Sequence, residues 1–113
     1  MSLSFRCSGE SRDPPPSTLE VFVYLLASKP NGTLYIGSTS DLVRRVWEHK
    51  AKAVPGFTAQ YGVDSLVWFE RYDTLEAAMQ RERRIKGWKR IWKIQLMEKD
   101  NPHWIDRYPE LSR

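Results

Sequence analysis

The sequence predicts an α+β fold: a small three-stranded, mainly antiparallel sheet flanked by helices as an α/β sandwich, in the order β-β-α-β-α-α. Three observations predict it. Two β-branched and aromatic runs flank the turn Lys29-Pro30-Asn31-Gly32, whose Asn-Gly pair tolerates positive φ and closes a hairpin. A third run of the same kind, Ser65–Tyr72, stands apart from them. After the hairpin and after the third run, apolar residues recur at helical spacing. A sheet of this size buries its apolar face under helices.

The elements follow in order. Val21–Ala27 (VFVYLLA) is the first strand and Thr33–Gly37 (TLYIG) the return strand. Ser40 or Asp41 caps a helix to about Lys52 with an apolar stripe of Leu42, Val43 and Val46. Pro55-Gly56 breaks the chain before the third strand. Thr74 caps a second helix to about Lys86 with Leu75, Ala78, Met79 and Ile85 inward. Beyond Gly87, Trp88–Lys99 form a third helix whose Trp88, Ile91, Trp92 and Leu96 share a face, and Asn101-Pro102 stops it. Residues 108–113 read as an irregular tail, with Trp104 and Tyr108 packing the end of the chain. Residues 1–19, rich in Ser, Pro and charge, read as a disordered or extended tail preceding one domain over residues 20–107.

Composition narrows the class. The chain of 113 residues is 41% hydrophobic and 28% charged, the balance of a soluble globular domain. Its one cysteine, Cys7, allows no disulfide framework and fits a reducing cytoplasmic compartment. With His49 and His103 the only histidines, the usual ligands build no structural zinc site. No apolar run approaches ~18 residues, so no membrane span is expected, and the N-terminus lacks the apolar core of a signal peptide. Net charge is +4. From Arg81 to Lys93, seven basic residues face a single acid, Glu82. Such a concentrated patch is the footprint of a nucleic-acid binder, or else a solvated helix surface.

Four features carry possible chemistry. Arg45 and His49 lie four apart at the edge of the first helix's stripe, where a guanidinium suits a phosphate and an imidazole suits proton handling; the plainer reading is a snorkelling arginine and a boundary histidine. Glu82 falls within the inward stripe of the second helix, where a carboxylate is costly unless paired by a metal ion or an arginine. Tyr24 and Tyr35 sit on adjacent strands and can face the same side, as core residues or as proton carriers. Trp88 and Trp92 are assigned to the core by their spacing, in preference to stacking on unpaired bases.

Val23-Tyr24-Leu25, Leu34-Tyr35-Ile36-Gly37-Ser38, Asp41-Leu42-Val43-Arg44-Arg45 and His49 together resemble the motif and following helix of the GIY-YIG nuclease superfamily. Glu82 stands where the family's metal-binding glutamate is expected, and Asn101 resembles its late asparagine. The segment Gly56-Phe57-Thr58-Ala59-Gln60-Tyr61 and the ending Asn101 to Trp104 look most like the small single-domain bacterial branch, the UPF0213-like proteins. The first half-motif departs from the pattern: Val23 stands in place of Ile, and Phe22 in place of the preceding Gly.

The resemblance implies phosphodiester hydrolysis with one divalent ion, Mg²⁺ or Mn²⁺, on Glu82. Arg45 would clamp the phosphate, and Tyr24 would act as general base, provided neighbouring cations depress its phenol from roughly 10. Tyr35 and His49 would position water and tune that base, and Asn101 would brace the site. Gly37 would let backbone approach the phosphate, while Arg81, Arg84, Lys86, Lys89 and Arg90 would grip nucleic acid, expected to be DNA. Two other readings stand beside the nuclease: a binding module of the same fold that needs a protein partner, and an interaction protein whose basic segment only confers solubility. The intact set of Tyr24, Tyr35, Arg45, His49 and Glu82 favours the nuclease.

Overall fold

In the computed structural model, which describes residues 20–53 and 55–111, the central strand β1 (Val21–Ala27) pairs antiparallel with β2 (Leu34–Thr39) on one side and β3 (Ser65–Tyr72) on the other. The N-terminal tail expected over residues 1–19 lies outside the described residues. Asn31 takes the left-handed conformation at the hairpin turn (φ 62°), and Gly32 N–H donates to the Lys29 carbonyl at 2.9 Å. The β1–β2 register sets Tyr24 opposite Gly37 and Leu26 opposite Tyr35.

Side chains alternate across the strands, and each face has its own cover. Val21, Val23, Leu25 and Ala27 pack with Ile36, with Ala78 and Ile85 of α3 (Leu75–Lys86), and with Met97 of α4 (Arg90–Glu98). On the opposite face, Tyr24 and Leu26 pack with Leu42 and Val46 of α1 (Leu42–Lys50). The α+β class and the order of the sheet and main helices are as the sequence predicts. Two short helices are added: α2 (Phe57–Tyr61) and α5 (Tyr108–Leu111). Neither is long enough to show a helical period. Of the expected irregular tail, Tyr108–Leu111 is helical and residues 112–113 lie outside the described residues; Tyr108 and Leu111 pack on the α1-side core.

Three apolar stripes differ from expectation. In α1, Val43 is exposed and His49 is buried in its place, on the same face as Leu42 and Val46. In α3, Leu75 (54% exposed) and Met79 face solvent, and the inward line is Ala78, Glu82, Ile85. In α4, Ile91 and Trp92 (49% exposed) point outward, while Met97 is buried and Ile94 partly so. A guanidinium sets the rotation of α4. Arg90 donates to the carbonyls of Asn31 and Gly32 at 3.0 and 2.6 Å, pinning the start of the helix to the hairpin turn. Trp88 precedes this helix and packs against the core. Among the described residues, no helix is long and apolar enough to cross a membrane.

The α3 rotation is directly testable. Ile85→Ala should cost about 2–4 kcal/mol by leaving a cavity under the sheet, while Leu75→Ala should stay within about 0.5 kcal/mol. Urea denaturation of both variants checks this; equal losses would restore Leu75 to the core.

Candidate active site

The site forms around β2, the edge strand of the sheet. Tyr24 projects from β1 on the α1 face and is buried. Its ring lies across Gly37: a Cβ built on that glycine would stand 2.6 Å from the phenol oxygen and 2.8 Å from Cζ. A side chain there would force the Tyr24 ring to move, so the ring's present position depends on Gly37. The tyrosine hydroxyl then reaches His49 Nε2 at 3.4 Å, and His49 Nδ1 meets Thr58 Oγ1 of α2 at 2.9 Å. Tyr35, on the same face, completes a ring cluster: its centroid is 6.4 Å from Tyr24 and 5.7 Å from His49.

The carboxylate enters from the other face. Ser38, next along β2, donates to Glu82 Oε1 at 2.5 Å, and Lys86 Nζ holds Oε2 at 2.8 Å. Arg45 is half exposed and ion-pairs with Glu48 at 3.5 Å. Its charge and that of Glu82 both act on the Tyr24 phenol.

Each perturbed group has a stated cause. Burial raises the Tyr24 phenol well above its ordinary value; Tyr35, Glu82 and Glu48 add to this, and Arg45 only partly opposes it. This corrects the expectation that neighbouring cations depress Tyr24: the phenol stays protonated at neutral pH. Burial lowers the His49 imidazole, and the Arg45 charge lowers it further, against Glu48 and Asp64. Burial raises the Glu82 carboxyl, but hydrogen bonds from Lys86 and Ser38 and the charges of Lys86 and Arg83 outweigh it, so its pKa ends below the ordinary value.

Among the described residues, no group of three or more His, Cys, Asp or Glu could hold a metal ion, so a site of several protein ligands is not available. Glu82 with the adjacent Ser38 hydroxyl is a hard oxygen set. That fits Mg²⁺, which takes one or two carboxylates and completes its shell with water and phosphate oxygens. The exposed Lys86 side chain would have to give up its hold on Oε2.

Other expected site residues lie elsewhere. Asn101 donates to the carbonyls of Val67 and Ile105 at 3.0 and 2.8 Å and accepts from Ile105 N–H at 3.0 Å. These bonds tie the C-terminal turn to β3; none goes to Tyr24, Tyr35, His49 or Glu82. Within the basic patch, Arg81 lies 3.5 Å from Glu70 and stacks over Trp88, and Arg90 staples the hairpin turn. Both are committed to the fold. Arg84 and Lys89 are exposed, and Lys86 belongs to the Glu82 pair. Sequence reasoning missed the parts played by Ser38 and Thr58. Ser38 lay one residue past the expected strand end, which the structure extends to Thr39. Thr58 lay in the motif segment 56–61, but a helix of five residues shows no period from which its inward face could be read.

The profile of the GIY-YIG catalytic domain matches residues 20–95. This chain belongs to the GIY-YIG nuclease family. Its relatives are UPF0213 proteins. One from Haloquadratum walsbyi is 40% identical over 77 residues, covering 68% of this chain and 85% of that protein. One from Natronomonas pharaonis is 42% identical over 76 residues, covering 67% and 88%. A solution NMR structure of the UPF0213 protein BH0048 from Bacillus halodurans is 28% identical, covers 82% of this chain and 97% of that one, and superposes with a TM-score of 0.49. The family implies a nucleic-acid substrate, and its nucleases are generally divalent-metal dependent.

Three measurements probe the site. Gly37→Ala should cost about 1–3 kcal/mol by overpacking, and Tyr24→Phe, which removes the nearest atom, should recover part of that cost in the double variant. Strictly additive losses would place the clash elsewhere. A phenol whose folded pKa is raised contributes stability that is full below its unfolded value, ~10, and is lost as pH climbs toward the folded one. Tyr24→Phe should therefore decline less in alkali than the wild type. Tyr72, pushed up to about 12, titrates in both and cancels. For His49 the sign is opposite: its stability contribution is present above ~6.5 and is lost as pH falls through the lowered folded value. An NMR titration of its imidazole should give a midpoint below that of free histidine.

Proposed function

We propose that this protein is an endonuclease that hydrolyses nucleic-acid phosphodiester bonds with one divalent cation, Mg²⁺ or Mn²⁺. DNA recognised by its structure rather than its sequence is the expected substrate. The observation that carries this reading is the phenol of Tyr24 crossing Gly37 to His49, beside Ser38 and the carboxylate it holds.

Glu82 would hold the ion, which when bound supplies polarisation of the scissile phosphate and relief of charge on the leaving oxygen. The chain's own residues supply the rest. Arg45, half exposed on α1, reaches outward to clamp a phosphate and offset its growing charge. Tyr24, held protonated by burial, serves as a relay: it takes a proton from the attacking water as its own passes to Nε2 of neutral His49. Thr58 Oγ1 lies 2.9 Å from Nδ1; as the acceptor from Nδ1–H it would leave Nε2 free to take the proton. Tyr35 confines the water. Arg84 and Lys89 hold the backbone by charge alone, so binding should weaken steeply with salt. A cytoplasmic location is in keeping with the single cysteine.

Incubating the purified protein with branched, single-stranded and duplex DNA, and with matching RNA, tests the reading. Cleavage should appear with Mg²⁺ or Mn²⁺ and stop in EDTA. Glu82→Gln should cut at least about a hundredfold more slowly while still binding. Binding without product in every metal would retire the nuclease in favour of a binding module. Equal cutting by Glu82→Gln would remove Glu82 from the chemistry.

A further inference from the structure

A second feature lies on the same strand edge. A cavity of about 270 Å³ is lined by Leu34, Tyr35 and Ile36 of β2, by Phe57, Lys86 and Lys93, and at its floor by Leu25 of the central strand. Successive residues of a strand face opposite sides, so a space touching three in a row lies at the strand's open edge. Gly37 and Ser38 follow directly, which puts the cavity within roughly 3–7 Å of the proposed chemistry along the strand.

Its lining is apolar along the sheet and adds the rings of Tyr35 and Phe57 and two lysines, with Tyr61 beside Phe57 on the same helix but outside the lining. Phe57 is 47% exposed and Tyr61 54% exposed, although both belong to a helix whose Thr58 is buried against His49. Their rings lie 4.9 Å apart, and Phe57 is within 27° of parallel to Tyr35 at 6.4 Å. These exposed rings contribute little to the core, yet the helix that carries them is fixed by the histidine contact. Lys86 and Lys93, from α3 and α4, also line the cavity, and the Lys86 ammonium is paired there with Glu82 at 2.8 Å.

We propose that this cavity is a nucleobase subsite that takes one unpaired nucleotide of the substrate strand, its base against Phe57 and its phosphate between Lys86 and Lys93. The inference rests on the nuclease reading and adds the state of the substrate next to the cut. A flat ring beside two cations matches a nucleotide, which brings a π-face and an anion together. The nucleotide must be unpaired, because a base inside a duplex has both faces stacked and no face to offer. Stacking accepts every base, so the subsite reads strand state and not sequence.

Fluorescence anisotropy in EDTA separates binding from cleavage. The probes are a labelled DNA duplex, the same duplex with an internal unpaired stretch, and that stretch with one abasic position. Wild type should prefer the unpaired stretch. Phe57→Ala should weaken that complex roughly tenfold or more without changing duplex affinity, and Phe57→Trp should restore it. The abasic probe should cost wild type most and Phe57→Ala little. Unchanged affinity of a folded Phe57→Ala for the unpaired probe, or an equal loss on duplex, overturns the subsite and leaves the nuclease reading standing. No binding to any nucleic acid overturns both. If thermal unfolding shows Phe57→Ala destabilised, Lys93→Gln takes its place. It should weaken the unpaired complex and lower its salt slope by about one, and an unchanged slope overturns the subsite.

Discussion

The contact between the Tyr24 ring and Gly37 is the constraint on which the site depends. Tyr24 stands on the central strand, where a side chain ordinarily ends against the neighbouring strand's own residue. Because its partner has no Cβ, the phenol extends across β2 and its hydroxyl meets an imidazole from α1. Strand alternation then divides the chemistry. Tyr35 and Gly37 belong to the α1 face, while Ile36 and Ser38 belong to the α3 face. The phenols and imidazole therefore arrive from one side and the carboxylate from the other. They can act on a common substrate only because β2 is the edge strand among the described residues, with no further strand between them there.

The electrostatics suit a resting site. Burial keeps Tyr24 and His49 neutral, so neither carries an uncompensated charge in the core. The charged groups sit nearer solvent: Arg45 with Glu48, and Glu82 with Lys86. Each pair joins a half-exposed cation to a mostly buried carboxylate, so drawing the cation away leaves the carboxylate in need of a new partner. A polyanion offers Arg45 and Lys86 stronger partners than their present carboxylates. Its arrival would free Glu82 at the moment a cation could use it, so substrate and metal are expected to favour each other's binding.

The sheet was legible in the sequence because its runs are bounded by an unambiguous turn and by chain breaks, and the individual strands carry their own period. Glu82 was legible because a carboxylate between Ala78 and Ile85 has no cheap explanation. The helix faces were less so. Leu75, Met79, Ile91 and Trp92 are apolar and periodic yet exposed, because long-range contacts set the rotation of each helix. The Arg90 bonds to the hairpin turn join residues nearly 60 positions apart, and no local pattern reveals them. The Tyr24 pKa ran opposite to expectation for a similar reason. Desolvation depends on what surrounds the ring, and a list of nearby charges omits it. Thr58 escaped because five residues are too few to show a period.

An edge strand presents unpaired backbone groups and invites pairing with another chain. Here the exposed side of β2 is flanked by Lys86 and Lys93 beside the cavity and by Phe57 on α2. Charge at an edge discourages a second sheet from docking, because an ammonium buried against another strand would lose its water without a partner. The same two cations attract phosphates. On the proposed reading, an edge that must remain open for a flexible polyanion and closed to a second sheet would be served by one pair of lysines.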